Sequence, residues 1–195
     1  MNTVRGIKIF KWESIASYFQ GFVTVNGKIM KKPDIVADNG VIHMMSEVVY
    51  PFPTTSIAGL VSADERFSTL LAAVVAAGLA DTLAGEGPFT VFAPTNDAFA
   101  KIPKEALDEL LADTEALKRV LLRHVLPGAL FAKGITWSEH ATAGGNEEDM
   151  IATQVFKGGV TKVVSNVGGK RTGARVVVAD VIATNGVVHA IDTVI

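Results

Sequence analysis

Apolar and polar positions recur with two different periods along this chain of 195 residues. Phe67, Leu70, Leu71, Val74, Val75 and Leu79 fall at i, i+3, i+4, i+7, i+8 and i+12, which predicts one face of a helix. Ser62 and Glu65 offer a capping box just ahead of it. Gly85 and Gly87-Pro88 break that pattern, and PFTVFAP at 88–94 reads as a short buried strand. Thr95, Asn96 and Asp97 follow as candidate N-caps of a short helix carrying Phe99. Pro103 opens a helix with Leu107, Leu110 and Leu111 inward. Thr114 is expected to cap the next, in which Leu117, Val120, Leu121, His124 and Val125 share a stripe that Pro127-Gly128 ends. The period then changes to that of strands, through IATQVFKG, GVTKVVSNV, ARVVVADVIA and VVHAIDTVI. Residues 1–50 are also strand-like, with IKIFKW and FVTVNGKIM. Helices followed by strands argue an α+β fold.

One stretch is written twice. DIVADNGVIH occupies 34–43 and DVIATNGVVH occupies 180–189, an offset of 146 (180 − 34). Each copy is an apolar run, Asn-Gly, and a second apolar run. Asn39-Gly40 and Asn185-Gly186 are therefore expected to form type I′ hairpin turns, which need two residues that tolerate positive φ. Val41-Ile42 and Val187-Val188 are apolar on both faces, as in an interior strand. A repeated hairpin predicts a repeated module. Only the second copy has a helical block ahead of it. Residues 1–53 are accordingly expected to be the C-terminal portion of one unit and 54–195 a nearly complete second unit, linked by the proline-bearing YPFPTT at 50–55.

Composition narrows the function classes. With 49% hydrophobic and 19% charged residues the chain can bury a sizeable core. A formal net charge of −2 gives no electrostatic footprint for nucleic acid or an anionic membrane. Cysteine is absent, which excludes disulfides, thiolate catalysis and Cys-based zinc sites. The longest apolar run, LLAAVVAAGLA at 70–80, is about half of the roughly 20 residues that a membrane-spanning helix needs. The first residues lack the apolar h-region of a signal peptide, so an address for secretion is expected to lie outside this sequence.

TVFAPTNDAF at 90–99 and NGVVHAIDTVI at 185–195 resemble the two signature segments of the fasciclin (FAS1) domain family. RFSTLLAAVVAAGL at 66–79 and LLRHVLPG at 121–128 stand between them in the family's order. The resemblance covers about 55–195 as a domain and 21–53 as the closing portion of a preceding one. It implies a wedge of mostly antiparallel strands with helices packed at one side, in tandem copies. It also implies a non-enzymatic, extracellular role in cell adhesion or matrix contact, with integrin-like receptors, matrix proteins or further copies as partners and no cofactor. The alternative within the family is a binder of an apolar small molecule such as a carotenoid.

The resemblance further implies contact positions. Asp34 and Ile35 fall on the Asp-Ile dipeptide of integrin-binding members, and Asp180 and Val181 occupy that place in the second copy. An exposed carboxylate can ligate a cation held by a receptor while the apolar neighbour docks beside it. The competing expectation is that Asp34 starts a strand and Ile35 is core. Where members tied to adhesion carry Tyr-His, this chain has Arg123-His124, and His124 reads as an imidazole capping carbonyls at a helix C-terminus. Asn39, Gly40, His43, Asn185, Gly186, His189, Thr95, Asn96 and Asp97 read as structural. Ser138-Glu139-His140 gathers catalytic residue types, but adjacency in sequence is not a triad, and no G-x-S-x-G, H-E-x-x-H or Walker A motif is present. NEEDM at 146–150 lacks the alternating oxygen ligands of a calcium loop. GGKRTGAR at 168–175 clusters Lys170, Arg171 and Arg175. Both stretches read as solvated loops.

Overall fold

The computed structural model describes residues 17–19, 22–25, 28–48, 53–132, 135, 137–145, 150–156, 160–167 and 170–195. IKIFKW, Asn146 to Asp149 and Gly168-Gly169 lie outside the described residues. The chain divides into two units, Met1–Val49 and Tyr50–Ile195.

In the first unit, β1 (Ser17–Phe19), β2 (Phe22–Val25), β3 (Lys28–Ala37) and β4 (Gly40–Met45) form an antiparallel sheet in sequence order. Ala37 pairs with Gly40, so the hairpin loop is Asp38-Asn39, one residue earlier than the Asn-Gly reading placed it. The same holds in the second unit, where Ala183 pairs with Gly186 across Thr184-Asn185. Asp34 and Asp180 are the non-glycine residues with positive φ among those described, so neither Asn39 nor Asn185 is left-handed and neither turn is type I′. The asparagines serve by their side chains, and the glycines begin the return strand.

The second unit opens with α1 (Ile57–Ala63), capped by Ser56, whose Oγ accepts from the Gly59 N–H at 3.2 Å. A 3-10 turn at Glu65–Phe67 follows, capped by Asp64, and leads into α2 (Ser68–Ala76) and α3 (Ala80–Ala84). The single helix predicted through this stretch is therefore divided. Gly78, at φ +66°, stops α2 and turns the chain. The buried face becomes Leu70, Ala73, Val74 and Ala77, leaving Val75 exposed. Ser62 sits inside α1 and donates to the Gly59 carbonyl instead of capping. Then come β5 (Phe89–Pro94), α4 (Asn96–Phe99), α5 (Lys104–Ala112) and α6 (Thr114–Arg123). Asp113 caps α6 through the Ala116 N–H at 2.9 Å, one residue ahead of the expected Thr114.

β6 (Val125–Pro127), β7 (Ser138–His140), β8 (Ile151–Phe156), β9 (Val160–Val167), β10 (Lys170–Ala183) and β11 (Gly186–Ile191) complete the unit. The sheet order is β6-β5-β11-β10-β9-β8-β7, antiparallel except for the β5–β11 pair. β10 is long enough to pair with β9 through Lys170–Arg175 and with β11 from Val176 onward, with register shifts between Val176 and Val181 where it changes partner. Such irregularities bend a strand, and here they fall just after β10 passes from β9 to β11.

β5 is apolar on both faces for a reason. Val91 and Ala93 meet the helical side, in one core with Ile57, Leu70, Val74, Leu117 and Leu121. Phe92, on the opposite face, joins Leu126, Ile151, Val163, Ala174 and Ile191. Full burial of Phe92 contributes roughly 2–3 kcal/mol on an area basis.

Candidate functional site

The repeated hairpin is reproduced in register as well as in spelling. β3 and β4 pair through Met30↔Met45, Lys32↔Met44, Ile35↔Ile42 and Val36↔Val41. β10 and β11 pair through Val176↔Ile191, Val178↔Ala190, Val181↔Val188 and Ile182↔Val187, each 146 positions on (176 − 30 = 146). The register shifts recur at the same places. The kink leaves Asp34 at φ 54° and Asp180 at φ 60°, a left-handed conformation that aspartate tolerates better than most side chains. There the aspartate N–H turns away from the ladder and donates to a histidine on the return strand. Asp34 N–H reaches His43 Nδ1 at 3.1 Å, and Asp180 N–H reaches His189 Nδ1 at 3.2 Å.

The environments differ. His189 is wholly buried and its ring stacks on Phe92, with centroids 5.4 Å apart. Because Nδ1 accepts, Nε2 carries the proton and donates to the Leu130 carbonyl at 2.8 Å. Asp180 Oδ1 accepts from the Ala132 N–H at 2.7 Å, so aspartate and histidine together hold the Leu130–Ala132 segment. Burial pushes the His189 pKa down, against the opposing influence of the Leu130 carbonyl and the Asp180 carboxylate. Asn185 Oδ1 accepts from the Ile57 N–H, and its Nδ2 donates to the carbonyls of Leu83 and Gly85, tying α1 and α3 to the turn. A β-carbon on Gly186 would collide with the Phe89 carbonyl of β5.

In the first copy these groups face outward. The Asp34 side chain is 79% exposed against 29% for Asp180, and that of His43 is 42% exposed against 0% for His189. Asp34 Oδ1 lies 3.6 Å from His43 Nδ1. Val36, Val41, Ile42 and Met44 are exposed around them, while Ile35 is half-buried. Asp34 thus lies inside a strand at a kink, and does not start one.

Val181 points toward the helical side and lines a groove of about 520 Å³. Leu60, Phe67, Val178, Val188 and Ala190 complete its apolar wall, and Asp64, Glu65 and Arg66 stand at its rim. Arg66 pairs with Asp64 at 2.6 Å, and the Arg66 hydrogen bond holds the Asp64 pKa below the ordinary value.

Of the other sequence candidates, His124 is buried between Val120 and the chain's last residue. Its Nδ1–H donates to the Val120 carbonyl at 2.7 Å and its Nε2 accepts from the Ile195 N–H at 3.1 Å. Burial lowers its pKa to about 4, so it packs as a neutral ring and contributes no charge to the helix dipole. Asn96 is a bridge: its Nδ2 donates to the Glu65 carbonyl and its Oδ1 accepts from the Thr69 N–H. Thr95 holds the N-cap position of α4 with no side-chain cap bond, and Asp97 lies in the first turn. Ser138 Oγ and Thr153 Oγ1 meet His140 Nε2 at 2.8 and 3.0 Å. Glu139, between Ser138 and His140, lies on the other face of β7 by strand alternation, so it does not orient the imidazole as a triad acid does. Among the described residues, no group of three or more His, Asp or Glu side chains is arranged to hold a metal ion.

Sequence reasoning missed Asp192, whose Oδ1 accepts from the Arg175 N–H at 2.8 Å while Lys101 and Arg175 lie 3.7 and 3.8 Å away. Burial alone would raise its pKa, but these partners and Thr193 hold it below the ordinary value. The repeat hid it, since the equivalent residue in the first copy is Ser46.

Residues 65–195 match the model of the fasciclin domain. The chain belongs to the fasciclin domain family. It is 38% identical over 178 residues to transforming growth factor-beta-induced protein ig-h3 of Sus scrofa, a match covering 91% of this chain and 24% of that protein. It is 37% identical over 185 residues to protein sll1483 of Synechocystis, covering 92% and 96% respectively. The chain thus spans about a quarter of the ig-h3 proteins it matches and nearly all of the cyanobacterial one. In fold it is similar to the FAS1 domain pair of the insect cell adhesion molecule fasciclin I, with a TM-score of 0.58 at 21% identity, covering 89% of this chain and 62% of that one. The two signature segments form the adjacent, parallel strands β5 and β11, second and third in the seven-stranded sheet.

Proposed function

We propose that this fasciclin-family chain is a non-enzymatic extracellular adhesion module that works through protein–protein contacts, with the Asp34–Ile35 kink of the first hairpin as its receptor contact. The observation that carries this reading is the contrast between the two aspartates. Asp180 spends its carboxylate on the Ala132 N–H, whereas the Asp34 carboxylate is turned to solvent beside exposed Val36 and Ile42. A carboxylate flanked by apolar side chains suits a receptor that holds a divalent cation, because it supplies one oxygen ligand and an apolar footing at once. A cell-surface setting is in keeping with a relative, 35% identical over 60% of this chain, that is named a cell surface glycolipoprotein of Mycobacterium bovis. Immobilised full-length protein is expected to support cell attachment that EDTA abolishes and added Mg²⁺ or Mn²⁺ restores. Attachment that ignores the chelator would remove the cation-bridged contact.

A second reading, binding of an apolar small molecule such as a carotenoid, is favoured by the groove beneath Val181, whose volume of about 520 Å³ is of the size of small-molecule sites. Incubation with carotenoid followed by gel filtration tests it. Pigment eluting with the protein supports the reading, and a colourless protein peak removes it.

A further inference from the structure

Several residues of the first hairpin have no local reason for their identity. Gly40 has no positive φ, and a β-carbon built on it meets nothing within 4 Å. His43 spends Nδ1 on the Asp34 N–H, yet nothing among the described residues meets its Nε2. Asn39 is exposed, and the apolar Val41, Ile42 and Met44 face solvent. In the second copy Asn185 is bonded to α1 and the end of α3, Val188 and Ala190 lie in the core shared with the helices, and Gly186 and His189 are accounted for by material laid against β11. Gly186 makes room for the Phe89 carbonyl, His189 Nε2 meets Leu130, and Val187, Val188 and Ala190 are covered. Beside β11 that material is β5, running parallel to it from Phe89↔Gly186 to Pro94↔Ile191, together with the Leu130–Ala132 segment after β6. The Phe89 N–H donates to the Asn185 carbonyl and the Thr95 N–H to the Ile191 carbonyl, so odd-numbered amides face the hairpin.

We infer that the outer edge of β4 is a strand-acceptor site, which takes an extended apolar strand of the Phe-Thr-Val-Phe-Ala-Pro kind from another polypeptide, laid parallel to Gly40–Met45. Among the described residues β4 has β3 on one side and nothing on the other. An edge with unpaired amides and apolar side chains is a template for pairing, and addition of a strand satisfies both. This inference does not rest on receptor binding.

The test is fluorescence anisotropy with a labelled synthetic peptide spanning Gly87 to Asn96, titrated with the full chain at a concentration where sedimentation shows a monomer. Saturable binding is expected. Gly40→Val should weaken it at least about tenfold, by returning the collision that Gly186 avoids, while leaving the urea midpoint unchanged. Ile42→Lys should weaken it as well. A peptide N-methylated at Val91 and Ala93 keeps the apolar side chains but loses two amides that would pair, and it should fail to bind. No saturable binding, or binding indifferent to Gly40→Val or to N-methylation, overturns the proposal. A chain that is dimeric alone, with amides 40–45 protected from exchange and unaffected by peptide, overturns it in favour of a second copy.

Discussion

The N–H of Asp180 and Nδ1 of His189 are 3.2 Å apart, and this bond fixes which nitrogen of the buried ring holds the proton. Nε2 then serves the Leu130 carbonyl, so a single imidazole joins β10, β11 and the segment after β6. The pair Asp34–His43 repeats the geometry in the open. His189→Leu strands the part-buried Asp180 N–H and Leu130 carbonyl and is expected to cost about 2–4 kcal/mol, whereas His43→Leu costs about 1 kcal/mol or less. Urea denaturation of the two variants measures the difference.

The two glycines separate in the same way. Gly186→Ala places a methyl group against the Phe89 carbonyl and is expected to destabilise the second unit by several kcal/mol. Gly40→Ala meets open space, and its effect on the urea midpoint is expected to stay within about 0.5 kcal/mol.

Acid should weaken the second unit before its carboxylates are titrated. The native pKa of His124 is lowered to about 4 by burial, so between 6.5 and 4 the unfolded chain takes up a proton that the native ring refuses. The stabilisation is complete above the unfolded pKa and is lost as pH falls toward 4, on the order of 3 kcal/mol. Protonation would also set an N–H against the Ile195 N–H. Burial shifts His189 in the same direction. Urea midpoints from pH 7 to pH 4 should fall, and His124→Gln should flatten part of that slope.

Asn96 and Asp97 test the reading of the first signature segment. Asn96→Ala removes the bridge to Glu65 and Thr69 and is expected to cost about 1–2 kcal/mol, while Asp97→Ala, which loses only a first-turn charge, costs about 0.5 kcal/mol. Thermal melts of the two proteins suffice to separate them.

Much of this was legible in the letters. The run PFTVFAP marked β5 because burial on both faces leaves one polar side chain, Thr90, which is bonded to Gly128 and Leu130, and the four late strands were marked by Gly-rich turns. The hairpins were legible as hairpins, but their loops were misplaced: Asn-Gly is a strong local signal, and here the asparagine answers to α1 and α3, far away in sequence. The helix over 67–79 looked continuous because periodicity ignores Gly78, whose left-handed φ ends α2. The site was less legible still. Nothing in two nearly identical decapeptides distinguishes a solvent-facing aspartate from one bound to Ala132, because the difference lies in what packs against each copy. The groove was invisible for the same reason, its wall being drawn from α1, the turn after it, β10 and β11.

The most direct measurement of the adhesive reading is attachment of cells to immobilised Asp34→Ala and Asp180→Ala proteins, with folding of each verified by circular dichroism. Loss of cation-dependent attachment with Asp34→Ala, and its retention by Asp180→Ala protein that stays folded, is the expected result. Undiminished attachment by Asp34→Ala would contradict the account.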